Sequence, residues 1–297
     1  MLFNTYKPWK FAFSQDTDNL NETTPNNWLI IGVPFDSTSS YKSGSRFGPT
    51  TVREASYSFE KYNITFKKDI STTFYDFGNV EVVHGNCKKT IAILEDAISE
   101  LMDYNIKPLL IGGEHSISLA PIKALANKYN IENMTIIHLD AHMDLRDEYQ
   151  GEKCSHATVM KRVHDLNPKE IIEIGVRSGS LEEIEFTQNQ ENIAIFTSKD
   201  IKERFHALEN KLNKIDNEEA IYLSIDVDVL DPSYVGEVGN PIPNGLSPEI
   251  IEKLLVLLAK KNIIGLDLVE LATNKLGDSS AVATAKIIYD FLTLNGE

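Results

Sequence analysis

The chain has 297 residues, 42% hydrophobic and 25% charged, with a formal net charge of -15. That balance belongs to a folded globular protein with a large core, and α/β folds of this length are often single units. The acidic excess argues against nucleic acid as a partner, because phosphate binding needs clustered Lys and Arg.

The N-terminal "MLFNTYKPWKFAFSQ" (1–15) mixes Lys, Pro and aromatics without the continuous apolar stretch of a signal peptide. No apolar run approaches the roughly 18 residues of a membrane span. Cys87 and Cys154 are the only cysteines, too few for a disulfide framework. The expectation is a cytoplasmic protein with no membrane partner, one domain over 1–297, with 1–27 as an N-terminal extension. The polar tract "SQDTDNLNETTPNN" (14–27) reads as a surface loop.

Short apolar runs follow in chain order: 28–35, 72–78, 107–113, 134–142, 170–177, 192–198, 220–228 and 262–271. Most are rich in Ile, Leu and Val and bounded by Gly, Asp or Asn, as strands are. Near-continuous apolar strands fit a parallel sheet covered on both faces. Helical periodicity fills some of the gaps. Residues 87–105 place Ile91, Leu94, Ile98, Leu101 and Met102 on one face. Residues 247–262 begin with Ser247 as N-cap, Pro248 at the first helical position and Glu249, with Lys260 and Lys261 in the last turn. The alternation predicts an α/β fold with a central, mostly parallel, doubly wound sheet of roughly eight strands.

Ligands in such sheets bind beyond the carboxyl ends of the strands. Four unusual segments fall there. "LLIGGEHSISLAP" (109–121) runs from a strand through a Gly-Gly turn to His115. "TIIHLDAHMDLRDEY" (135–149) carries Asp140, His142 and Asp144 in alternation, on one face if the strand stays extended. "YLSIDVDVLDP" (222–232) alternates Asp226 and Asp228, acids that repel unless a cation or solvent screens them. "GLDLVEL" (265–271) ends in Glu270, a carboxylate that needs a partner if buried. Singly, each also reads as a polar junction or an exposed turn. Together, His115, Asp140, His142, Asp144, Asp226 and Asp228 are too many ligands for one catalytic metal and suit two metals sharing carboxylates. Oxygen and imidazole donors without thiolate favour a hard ion, Mn²⁺ before Zn²⁺.

The segments "GGEHS" (112–116), "DAHMD" (140–144), "SIDVDVLDP" (224–232) and "GLDLVEL" (265–271) resemble the ureohydrolase family of arginases and agmatinases. "GVPFD" (32–36) and "GSRFGPTTVREA" (44–55) do so as well, and the resemblance spans about 28–290. It implies a three-layer αβα sandwich, two Mn²⁺ ions and a trimer or hexamer. It implies that Asp140 and Asp226 bridge the metals, that His115 and Asp144 complete one, and that His142 and Asp228 complete the other. A hydroxide would lie between them. Asp144 and His156 would relay a proton, and Glu270 would pair with a substrate guanidinium. His138 matches no ligand of the family and is expected in packing or support. His84, His164 and His206 are expected to be structural or at the surface. Two positions depart from the pattern: Glu114 stands where Asp is common, and Ala157 where Gly is frequent.

The four aspartates balance two divalent ions, so a hydroxide would leave the pocket net negative and suited to a small cationic guanidino substrate. Asp147, Glu148 and Glu152, in the loop 145–156, would favour an amine at the distal end. The expected reaction is agmatine and water to putrescine and urea. Aminopropylagmatine, guanidinobutyrate and formiminoglutamate are the alternatives within the family. The anionic substrates would need a cation at the distal end, for which Arg146, Lys153 and Arg177 are candidates. Single-zinc deacetylases of similar fold, and a binding protein that kept the fold but lost its ligands, fit the complete ligand set less well.

Overall fold

The computed structural model describes residues 9–296. Residues 1–8 of the expected N-terminal extension lie outside them. The elements run in chain order: β1 (Trp28–Val33), α1 (Gly48–Ser56), β2 (Tyr62–Asn63), β3 (Lys68–Asp69), β4 (Phe74–Asn79), α2 (Cys87–Asp103), β5 (Lys107–Gly112) and α3 (Leu119–Tyr129). Then come β6 (Met134–Leu139), α4 (Val159–His164), β7 (Glu170–Val176), α5 (Leu181–Gln188), β8 (Ile193–Thr197), α6 (Ser198–Asn213), β9 (Ala220–Asp226), α7 (Pro248–Leu258), β10 (Ile263–Val269) and α8 (Ser279–Leu294).

Eight strands form one sheet in the order β4-β1-β5-β10-β9-β6-β7-β8. Every pairing in it is parallel. All eight expected strands are present; seven end one to three residues before the expected bounds, where polar loops begin, and β4 ends one residue after. The hairpin of β2 and β3 was not expected; two-residue strands carry no periodicity.

Both faces are covered. Ile30, Leu109, Ile111, Leu266 and Leu268 point into a cluster with α1, α6, α7 and α8. Their neighbours Leu29, Ile31, Val33 and Leu110 point the other way, against α2 and α3. Met134, Ile136, Ile171 and Tyr222 continue that second face beneath α3 and α4. Alternate side chains on each strand thus serve opposite helix layers, which makes the sandwich three-layered.

Helix α2 buries Ile91, Leu94, Ile98 and Leu101, and the Asn86 side chain caps its start by accepting from Lys89 N. Helix α7 starts after Ser247 as expected but ends at Leu258. Lys261 therefore lies past the last turn, where its ammonium bonds the Ile215 carbonyl and Asn217. The tract 14–27 is a loop pinned at Gln15, which bridges to Tyr75.

Cys87 and Cys154 form a disulfide, with Cα atoms 6.0 Å apart across 67 residues of sequence. It ties the first residue of α2 to the loop 145–156. Among the described residues no helix is long and apolar enough to cross a membrane.

Candidate active site

Strands β5, β10, β9 and β6 are neighbours in the middle of the sheet. Because they are parallel, their carboxyl ends share one edge, and the four unusual segments follow them. The chain reaches β6 from β5 by passing over two strand positions, the kind of crossover beside which ligands bind in open α/β sheets.

After β5, Gly113 lets two backbones meet: a Cβ there would lie 1.8 Å from the Phe35 carbonyl oxygen. The chain then turns, and His115 begins a 3₁₀ turn (His115–Ser118) with its ring fully buried. After β6 the route differs from the extended strand assumed from sequence. The strand ends at Leu139, and the Asp140 side chain accepts from His142 N at 2.6 Å, folding the chain back. Asp144 then takes a left-handed backbone, φ 54°. After β9, Asp226 is the last strand residue, and its carboxylate accepts from Asp228 N at 2.7 Å. Asp228 belongs to a 3₁₀ turn (Val227–Val229) and not to the strand. Tight turns, and not the period of a strand, bring these carboxylates together.

Two adjoining groups result. His115 Nδ1 lies 3.0 Å from Asp140 Oδ2, 3.3 Å from Asp144 Oδ2 and 3.3 Å from Asp226 Oδ2. His142 Nδ1 lies 3.1 Å from Asp228 Oδ2 and 3.4 Å from Asp140 Oδ1. Asp140 therefore offers one oxygen to each group.

His115 tests whether a cation fits. Ser224 Oγ donates its only proton to Asp267 Oδ1 at 2.7 Å, so at 2.9 Å it must accept from His115 Nε2–H. That leaves Nδ1 buried, without a well-aligned hydrogen-bond partner, and facing carboxylate oxygens. A lone pair cannot rest there unaided; a proton or a metal must intervene. Without metal, burial disfavours the imidazolium, but contact with Asp140 and the charges of Asp140 and Asp144 outweigh it and push His115 up to about 10. His142 is likewise pushed up to about 12 by Asp228 and Asp140 despite burial. Burial and the neighbouring Asp140 raise Asp144, and burial and Asp228 raise Asp226. Buried acids and imidazoles that cannot all hold their preferred charge form a donor set suited to a divalent cation.

His138 belongs by distance to the first group: a donor atom of its ring lies within 4.8 Å of those of His115, Asp140 and Asp144. Both its nitrogens are engaged, however: Nδ1 with Glu173 at 2.5 Å and Nε2 with Asp140 Oδ2 at 3.0 Å. In the metal-free fold it hydrogen-bonds Asp140. Of the other histidines, His164 packs edge-on against Phe186.

Above the groups opens a cavity of about 260 Å³, lined by Asp144, Asp226, Asp228, Glu270 and His156 and rimmed by Arg146, Tyr149, Glu183 and Asn240. Glu270 also has a left-handed backbone, φ 69°. One carboxylate oxygen accepts from His115 N at 2.8 Å. The other lies 3.0 Å from where a Cβ on Gly239 would sit, so glycine leaves that oxygen room. Burial, followed by the charge of Glu114, raises Glu270 well above the usual carboxylate range, as for an acid awaiting a cation.

The acids expected at the mouth are elsewhere. Asp147 pairs with Arg162 and Lys153, while Glu148 and Glu152 are exposed. Of the candidate cations, Arg177 is consumed by the carbonyls of Gly175, Asp228, Val229, Leu230 and Ile242. Lys153 sits outside with Asp147. Arg146 does line the cavity, 3.8 Å from Glu183 and over the Tyr149 ring. Glu183, which has no motif around it in the sequence, accepts from Leu145 N and from Ser180 and so braces the loop behind Asp144.

The arginase family model matches residues 26–293. The chain belongs to the arginase family. An N(1)-aminopropylagmatine ureohydrolase of Thermococcus kodakarensis is 37% identical, over 96% of this chain and 94% of its own. An agmatinase of Pyrococcus horikoshii is 35% identical, over 97% of each chain. The crystal structure of a putative agmatinase from Clostridium difficile matches with a TM-score of 0.83 at 32% identity, covering 92% of this chain and 98% of that one. This arginase-family protein is thus an agmatinase-like ureohydrolase, a hydrolase acting on carbon–nitrogen bonds. Its His and Asp cluster is a site that can hold metal.

Proposed function

We propose that this enzyme hydrolyses agmatine to putrescine and urea, using two Mn²⁺ ions. His115, Asp144, Asp140 and Asp226 would hold one ion. His142 and Asp228 would hold the other and share Asp140 and Asp226 with the first. Bound there, the metals would supply a water activated as nucleophile near neutral pH. Glu270 receives the substrate guanidinium through the oxygen that Gly239 leaves free. Asp144 holds a proton at its carboxylate, and His156 carries it to the leaving amine. The whole chain, 1–297, works as one ureohydrolase domain in a cytoplasmic homo-oligomer.

One observation carries the choice of an amine-ended substrate. Arg146, the cation at the cavity rim, already faces Glu183, and Arg177 is committed to backbone carbonyls. Among the described residues, five carboxylates (Asp144, Glu183, Asp226, Asp228 and Glu270) thus line the cavity against one arginine, a balance that favours an amine at the distal end. A second reading, the aminopropyl-extended agmatine, is supported by the 37% identical relative that bears that activity in its name.

The test is urea release by the Mn²⁺-loaded enzyme from agmatine, aminopropylagmatine, arginine and guanidinobutyrate, with formamide release from formiminoglutamate assayed alongside. The highest kcat/KM is expected for one of the two amine-ended substrates. Preference for a carboxylate-bearing one would overturn the proposal.

A further inference from the structure

Glu114 is fully buried beside His115, yet it reaches neither metal group. Its carboxylate is bound from the other side. Glu114 Oε2 accepts from Thr38 N at 2.7 Å, and Oε1 accepts hydroxyl protons from Thr38 at 2.5 Å and Ser116 at 2.6 Å. Thr38 Oγ1 also touches His156 twice: it accepts from His156 N at 3.1 Å, and it lies 3.3 Å from His156 Nδ1.

Proton counting connects these contacts. A carboxylate only accepts, and a threonine hydroxyl has one proton. Glu114 claims that proton, so Thr38 Oγ1 turns lone pairs toward His156. An imidazole nitrogen facing a lone pair must itself carry hydrogen. Nδ1 is then N–H, and Nε2 is left as the acceptor, 3.2 Å from Ser40 Oγ. Both Ser40 and His156 line the cavity.

We propose that Glu114 is a positioning residue which, through Thr38, fixes His156 as its Nδ1–H tautomer and presents Nε2 to the substrate pocket. The inference rests on the proposed role of His156 as proton carrier. It also gives a purpose to the departure at position 114, since the longer acid spans from the β5 turn to the Thr38 loop. Neutral imidazole takes up a proton only at the bare nitrogen. The wrong tautomer would therefore present an N–H to the pocket and no acceptor.

The experiment is ¹⁵N NMR of histidine-labelled full chain loaded with diamagnetic Zn²⁺, with His156 assigned by its loss in His156→Gln. The expected result is a protonated Nδ1 and a bare Nε2. Glu114→Gln replaces an acceptor with an amide donor, frees the Thr38 proton for Nδ1, and should move the imidazole proton to Nε2. In the Mn²⁺-loaded enzyme, Thr38→Val should lower kcat about tenfold with little change in KM, and Thr38→Ser should restore it. Metal content and unfolding temperature report whether each variant folds; should Glu114→Gln fail, the Thr38 pair still decides. A wild-type Nε2–H tautomer, or full kcat in Thr38→Val, would overturn the proposal. Should the Nδ1–H tautomer stand while no guanidino substrate turns over, the proposed reaction fails and the tautomer assignment alone holds.

Discussion

Asp140 turns one carboxylate oxygen to each of two histidines: Oδ2 lies 3.0 Å from His115 Nδ1 and Oδ1 lies 3.4 Å from His142 Nδ1. A single side chain thereby joins two groups of donors, and the consequences are measurable.

Metal binding should release protons. In the metal-free fold His115 and His142 hold theirs up to about 10 and about 12, and Asp144, Asp226 and Asp228 are raised by burial and by neighbouring carboxylates, with Asp140 the exception. Groups raised on folding stabilise below their unfolded values and lose that contribution as pH rises past the folded ones. The metal-free protein should therefore weaken with rising pH, from about 4 upward for the acids and from about 6.5 upward for the histidines. Mn²⁺ displaces the same protons, so its gain in melting temperature should be larger at higher pH. Calorimetric titration in buffers of different ionisation enthalpy counts the protons, and a count of zero would sink the idea. Asp226→Asn should lose metal and activity while the fold survives.

Gly239→Ala should weaken substrate binding. Its Cβ would press on the Glu270 oxygen from 3.0 Å and would meet the Lys42 carbonyl oxygen at 3.6 Å. Loosening one charged hydrogen bond is worth about 1.5 kcal/mol, or roughly tenfold in KM. Metal content should not change. An unaltered KM for the best guanidino substrate would remove Glu270 from substrate recognition.

The disulfide should stabilise the fold. Closing a loop of 67 residues constrains the unfolded chain by about 4 kcal/mol in the chain-entropy account. Cys154→Ser should lower the denaturant midpoint accordingly, and reductant should then have no further effect. Titration of the native, unreduced protein should find no free thiol; two would refute the bond.

The strands were legible because Ile, Leu and Val runs between Gly and Asp leave few alternatives. Their order was not, since the placing of β10 and β9 between β5 and β6 depends on contacts far apart in sequence. At the site, residue types carried the signal while the geometry behind it was different: Asp140, His142 and Asp144 meet through a turn beyond Leu139. Glu183 stayed hidden because its partner, Leu145 N, is 38 residues away. The Cys87–Cys154 pair gave no motif for the same reason. Phase alone would have counted His138 as a ligand; its two engaged nitrogens set it behind Asp140.

Asp144 and Glu270 share a backbone that L-residues with branched or long side chains avoid, with φ at 54° and 69°. Each conformation costs about 1–2 kcal/mol relative to the ordinary helical region, a cost that glycine escapes. A directed-evolution campaign that rewards heat resistance alone would therefore be drawn to glycine or asparagine at these two positions. It would return sturdier proteins stripped of their chemistry. Selection for turnover has to accompany selection for endurance in this chain, because two of its least comfortable residues are two that its proposed reaction employs.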